Sequence, residues 1–129
     1  MKALTLTQPW ASAIAVGHKL IETRSWSTAY RGPLAIHASA KMTNADRVFA
    51  HREWAAGRIE FPLPFGVIVA TCTLVDIRRT EDLTDLSDLE LSYGDFSPKR
   101  FGWILQDVKA LDPPAPARGA QGLWEWRRD

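Results

Sequence analysis

QPWASAIAVGHKLIETRSW, Gln8–Trp26, changes its periodicity in the middle. Its first part is small and apolar. Pro9 suits the opening turn of a short helix, PWASAIAV, and Gly17 is a natural place for that helix to stop. From Leu20 onward the residues alternate, with Leu20, Glu22, Arg24 and Trp26 on one face and Ile21 and Thr23 on the other, which is the pattern of a strand. Four ionisable side chains, His18, Lys19, Glu22 and Arg24, therefore stand among Leu20, Ile21 and Trp26. A solvated turn has no use for those three apolar residues, and a core strand has none for Lys19, Glu22 and Arg24. The segment predicts a helix-to-strand junction with charge gathered on one strand face.

Working outward, ALTLTQ (Ala3–Gln8) alternates and reads as a strand. After a Tyr30–Pro33 turn, PLAIHAS reads as another. TNADRVFAHREWAAG is the strongest helix: Thr43 or Asn44 caps it, Ala45, Val48, Phe49, Arg52, Ala55 and Ala56 make a stripe, and Gly57 ends it. FGVIVATCTLVDI is β-branched and long, the pattern of a buried strand with a bend or bulge. Residues 80–95 form an acidic excursion read as a solvated loop, or as a segment near the site that repels long polyanions. RFGWILQDVKAL is a further strand, PPAPARGAQG a connection barred from a sheet interior by its prolines, and LWEW a closing strand. Strands outnumber helices. The expected class is α+β, a small β-barrel with two or three short flanking helices, in a single domain over residues 1–129.

The 129 residues carry a formal charge of +1, so no global field would hold a duplex, and anion binding has to be local. The distribution is uneven: seven Lys/Arg face three acids over residues 17–58, and two face eight over residues 59–95. The single cysteine, Cys72, lies in an apolar run, which predicts a small buried core residue and excludes an internal disulfide. A reducing, cytoplasmic setting fits it. The N-terminus lacks the apolar stretch of a secretory signal, and no run reaches membrane-spanning length, so no membrane partner is expected. No His/Asp/Glu spacing suggests a metal, and neither a Gly-rich phosphate loop nor a Gly-x-Ser-x-Gly elbow occurs. No cofactor is expected.

Gly17, Lys19, Glu22 and Arg24 match the Gly-x-Lys-x-x-Glu-x-Arg motif of ASCH domains, and the chain resembles that family, itself similar to the PUA domains of RNA-modifying machinery. The likeness continues through YRGPLAIHASAK, LPFGVIVATCTLVDI, the GDF…RFGWIL blocks and GLWEW. Within the family it looks closest to small bacterial members related to the endothelial-overexpressed lipopolysaccharide-associated factor. The resemblance implies a PUA-like barrel with a cleft lined by the motif and a nucleic-acid theme: RNA binding, ribonuclease activity in some members, and hydrolysis of N4-acylated cytosine nucleosides in others. Members of the last kind look as if they use a Thr, activated by the Lys, where this chain has Glu22. The departure puts a direct copy of that mechanism in doubt.

For the site, Lys19, Glu22 and Arg24 are the catalytic candidates, against the alternative of a structural ion-pair cluster. Lys19 or Arg24 can neutralise a phosphate or polarise a carbonyl. Glu22 can take a proton from water or a hydroxyl. Trp10 and Trp26, beside these charges, suit an unstacked base. Tyr30, Arg31, His37 and Arg100 are the remaining binding candidates, with Arg100 returning to the same mouth. Trp54, Trp103, Trp124 and Trp126 are expected in the core, and His18 and His51 in solvent. The expected partner is single-stranded RNA or a modified nucleoside, bound by a monomer or weak homodimer. Hydrolysis, ribonuclease action and a non-catalytic interaction role all stay open.

Overall fold

Alternation makes Lys2–Leu6 a strand, β1, whose Leu4 and Leu6 face the main core while Ala3 faces the other side. In the computed structural model, which describes residues 1–128, the chain then turns into helix α1, Trp10–Ala15. Pro9 offers no side-chain cap to this helix. Buried Gln8 does the work instead: its Oε1 accepts the Ser12 amide at 3.0 Å, and its Nε2 donates to Ser12 Oγ and to the Pro64 carbonyl. Gly17, at φ +89°, ends the helix in the left-handed conformation that glycine adopts without strain. Its neighbours His18 and Lys19 both donate their amides to Ala13 O.

Strands β2 (Ile21–Arg24), β3 (Gly32–Ala38), β4 (Val67–Arg79), β5 (Phe101–Pro116) and β6 (Leu123–Glu125) complete one six-stranded mixed sheet in the order β2-β5-β4-β3-β1-β6. β1 and β3 are parallel, and the other pairs are antiparallel. The sheet is a half-barrel: its outer strands β2 and β6 do not pair. The predicted α+β class holds, with three helices, α1, α2 (Asn44–Ala55) and α3 (Asp88–Ser92), plus a 3-10 turn over Thr80–Asp82. β4 carries the irregularity its length suggested, with register shifts against β5. The main core gathers Leu4, Ile14, Leu34, Ile36, Val69, Leu74 and fully buried Trp103, and Cys72 lies within it. Burial pushes the Cys72 thiol up to about 12, so it is inert at neutral pH. On the opposite face Trp126 covers Ala3, Ala35 and Ile68, with Trp124 partly buried beside them.

Two expectations are corrected. PPAP is not a connection: β5 runs through Pro116, with Val67 opposite Pro116 and Ile68 opposite Ala115. β2 pairs only with Phe101–Ile104, so this end of β5 has a neighbour on one side alone. Proline is tolerated there as on any edge. Helix α2 is turned by one position from the predicted stripe. Its sheltered residues are Asp46, Phe49, Ala50 and Glu53, while Ala45, Val48, Arg52, Ala55 and Ala56 are exposed. Trp54 accordingly leaves the predicted core, 53% exposed and stacked on Phe61. Two of the inward positions are carboxylates, so apolar periodicity alone sets the wrong phase. No helix among the described residues is long and apolar enough to cross a membrane.

Candidate functional site

β2 lies beside the open seam of the half-barrel, and the motif residues stitch across that seam. Lys19 enters from the Gly17 turn and is fully buried. Its ammonium donates to Ile21 O at 2.6 Å and Tyr93 O at 3.1 Å, and it lies 3.3 Å from Glu22 Oε1. Glu22 Oε2 accepts Arg24 Nε at 2.8 Å. Arg24 then donates through Nη2 to the Thr5 carbonyl at 2.8 Å, linking β2 to β1 where no backbone ladder exists. The result is a continuous relay from the end of α3 through β2 to β1. Burying such charges is costly, and the relay repays it only because the donors of Lys19 all find acceptors.

Above the relay opens a cleft of about 530 Å³, within the ~300–1,000 Å³ range of small-molecule sites. Its walls come from Thr5–Thr7 after and within β1, Trp10 of α1, Glu22–Arg24, Asp46 of α2, and Ser92–Asp95. Trp10 stacks on Phe49 with ring centroids 5.3 Å apart, which fixes the indole against α2. Thr23 backs onto the far wall, its hydroxyl accepting the Asp95 amide at 3.0 Å. Asp46 completes a capping box with Thr43, holding the first turn of α2 at the rim.

A second buried cluster braces this wall. Glu53 accepts the Tyr93 hydroxyl in a short bond and Arg58 Nη2 at 2.6 Å. Burial would raise the Glu53 carboxyl, but the Arg58 and Tyr93 bonds outweigh it and hold the group below its usual value. The Tyr93 phenol is pushed up, first by burial and then by Glu53. Tyr93 thus joins α2 through its hydroxyl and Lys19 through its carbonyl. Glu90 accepts the Leu20 amide at 2.9 Å through Oε1, and burial pushes its carboxyl up. Its Oε2 has no partner among the described residues. Among the described residues no group of three His, Cys, Asp or Glu is placed to hold a metal ion.

The fold separates the candidates. Glu22, Arg24 and Trp10 line the cleft. Lys19 lies beneath it, sealed from solvent, so its ammonium faces Ile21, Tyr93 and Glu22 and not the open cleft where a ligand contact was expected. Trp26 packs edge-on against Trp103 and borders an adjoining trough with Thr5, Arg24 and Gln121. Tyr30 donates to Pro33 O, and Arg31 to Thr28 O and Tyr30 O; neither reaches the cleft. Arg100 stands behind the wall, donating to Asp95 O at 3.1 Å, rather than in the mouth. His37 is buried under the floor of another trough. Its Nε2 lies 2.8 Å from Ala117 O, a contact that requires the proton on Nε2. Nδ1 then accepts from Thr5 Oγ1 at 3.1 Å, and Trp124 Nε1 donates to the same hydroxyl.

Gly119 lies over that cluster: a Cβ there would fall 2.6 Å from His37 Cε1 and 2.8 Å from Thr5 Oγ1. Gly119→Ala is expected to cost about 1–2 kcal/mol of stability, since the exposed loop can shift to relieve part of the overpacking; thermal denaturation measures it. Asp46, Tyr93, Asp95, Thr5 and Thr7 were not among the sequence candidates. The polar positions of ALTLTQ carried the local signal for Thr5 and Thr7, and the GDF block that for Asp95. His18 and His51 are exposed, as expected.

An ASCH domain model matches residues 4–115. Human activating signal cointegrator 1 is 29% identical over 95% of this chain, and the mouse protein of the same name is 28% identical over the same share. The chain spans 22% of the length of each of these curated relatives. Crystal structures of ASCH from Zymomonas mobilis and of a point mutant of it superpose with TM-score 0.58 at 17% and 16% identity, covering 98% of this chain and 87% and 90% of theirs. The motif leading into β2, the half-barrel and these matches agree: the chain belongs to the ASCH domain family.

Proposed function

We propose that this domain binds an exposed nucleobase, of RNA or of a modified nucleoside, in the cleft above the Lys19–Glu22–Arg24 relay. The observation that carries the reading is the combination of an open hollow with a floor whose charged groups are already locked in place. Glu22 and Arg24 cannot swing away, because Lys19 and the Thr5 carbonyl hold them from below. A ligand therefore meets preorganised polar groups without the entropy cost of ordering them. Trp10 supplies an indole beside them, and stacking on an aromatic side chain contributes ~1–3 kcal/mol per base.

Both Glu22 oxygens carry a cationic partner, which favours orienting a ligand over taking its proton. Binding is thus the leading role, and hydrolysis is an outcome to be tested. Purified protein incubated with unstructured RNAs, nucleosides and N4-acetylcytidine, read by mass spectrometry, distinguishes them. Cleaved RNA or released cytidine, lost in Glu22→Gln, would make the domain a cofactor-independent hydrolase. For binding, Trp10→Ala is expected to weaken affinity about 5–150-fold, the range that stacking energy converts to. Titration calorimetry reads it, and an unchanged affinity would remove the base from the cleft.

A further inference from the structure

Of the Phe, Tyr and Trp side chains among the described residues, three are exposed, Trp54, Phe61 and Phe65, and all three gather along one flank of α2. Arg47, Ala50, His51 and Trp54 recur at helical spacing on that flank. Facing them, Phe61, Leu63 and Phe65 form the second bank of an apolar groove of about 480 Å³. Trp54 stacks on Phe61 with ring centroids 5.7 Å apart, and His51 meets the same ring edge-on at 5.2 Å. The groove shares no lining residue with the cleft above the relay.

The second bank is held in place. Ile59 at its start is buried, and the Arg58 amide donates to Glu53 O at 3.0 Å. Gln8 Nε2 donates to Pro64 O at 2.9 Å, and the Gly66 amide to Ala38 O at 2.8 Å. The exposed rings are therefore ordered before any partner arrives, which removes that cost from binding. A contiguous apolar patch left in water marks an interaction surface.

The lining decides what covers it. Phe61 and Phe65 stay 38% and 41% exposed, so the banks are too open to enclose a small molecule, which needs most of its surface covered. Nucleic acid fits poorly as well. Arg47 is the one fixed cation in the lining, and Met42, Ala50, Pro62 and Leu63 offer a base no side-chain donor or acceptor. A protruding apolar side chain of a polypeptide suits these walls. Charge adds a second requirement. Both acids of α2 are engaged, Asp46 in its capping box and Glu53 with Arg58 and Tyr93. Exposed Glu60 does not line the groove. Arg47, also exposed, has no ion-pair partner among the described residues.

We infer that this groove docks a segment of a partner protein in which a leucine or aromatic side chain stands beside an aspartate or glutamate. The apolar side chain enters between α2 and the Phe61–Phe65 bank, and the carboxylate meets Arg47. The site is independent of the cleft and of what the cleft binds.

Selection from a display library of random dodecapeptides against the whole chain tests it. Enriched peptides are expected to carry Leu, Phe or Trp next to Asp or Glu. Titration of such a peptide should weaken about tenfold or more in Phe61→Ala, the loss typical of an aromatic anchor. Circular dichroism checks that this variant is folded. Arg47→Glu changes an exposed side chain outside the core, and a selection repeated on it should exchange the acidic preference for Lys or Arg. No enrichment, peptides without an acid, affinity unmoved in Phe61→Ala, or an acidic preference that survives Arg47→Glu overturns the proposal. Displacement of the peptide by an unstructured RNA would give the groove to nucleic acid instead. Self-association of the protein alone in sedimentation, lost in Phe61→Ala, would give it to a second copy of this chain.

Discussion

Lys19→Ala is expected to lower the unfolding free energy by about 3–5 kcal/mol, the cost of breaking a buried ion pair by removing one partner. Lys19 is fully buried, and its three contacts tie Ile21, Glu22 and Tyr93 together. Without the ammonium, two buried carbonyls lose their donor and Glu22 keeps only Arg24. The seam between β2 and β1 has no backbone ladder to fall back on, so the cleft floor loosens with the relay. Urea unfolding reads the stability. Lys19→Met, which keeps most of the volume, separates lost charge from lost packing. A loss below about 1 kcal/mol in both variants, the scale of exposed pairs, would mean that the seam is held elsewhere.

Glu53→Ala carries the second-largest effect, about 2–4 kcal/mol, because it removes a buried carboxylate and strands the Tyr93 hydroxyl. The figure sits below the range for fully buried pairs because Arg58 is about a third exposed and solvent screens it. The same group sets an acid limb. Its folded pKa is depressed, so the unfolded chain takes up the proton first as pH falls. The contribution of Glu53 is fully present above its ordinary value of about 4.5 and is lost as pH drops through the folded value. Glu90 runs the other way. Its folded pKa is raised, so its contribution is present below the ordinary value and lost as pH rises through the folded one. Stability measured between about pH 6 and pH 3 should fall less steeply in Glu53→Ala than in the unchanged protein. Parallel curves would place the acid sensitivity in other carboxylates.

Much of the fold was legible because its signals are local. Pro9 and Gly17 bracket α1, alternation marks β1 to β3, and Thr43 caps α2. α2 was misphased for a reason visible in Glu53: its inward position is polar, and its partners lie 5 and 40 residues away. PPAP was misread for a related reason, since a proline is excluded only where both sides of a strand are paired.

At the site, the Gly17–Arg24 motif by itself determined the junction and which charges gather there. Nothing in it could separate Lys19 from Arg24 as the group left facing the open cleft. Tertiary structure decided that by bringing Tyr93 over Lys19 from 74 residues away and leaving Arg24 at the open seam. A period of two states which side chains share a face, but whether that face is covered depends on which distant segment arrives to cover it. Here the arriving segment is Ser92–Asp95, the end of an acidic stretch that the sequence left between a solvated loop and a segment near the site, and that the fold makes a wall of the cleft.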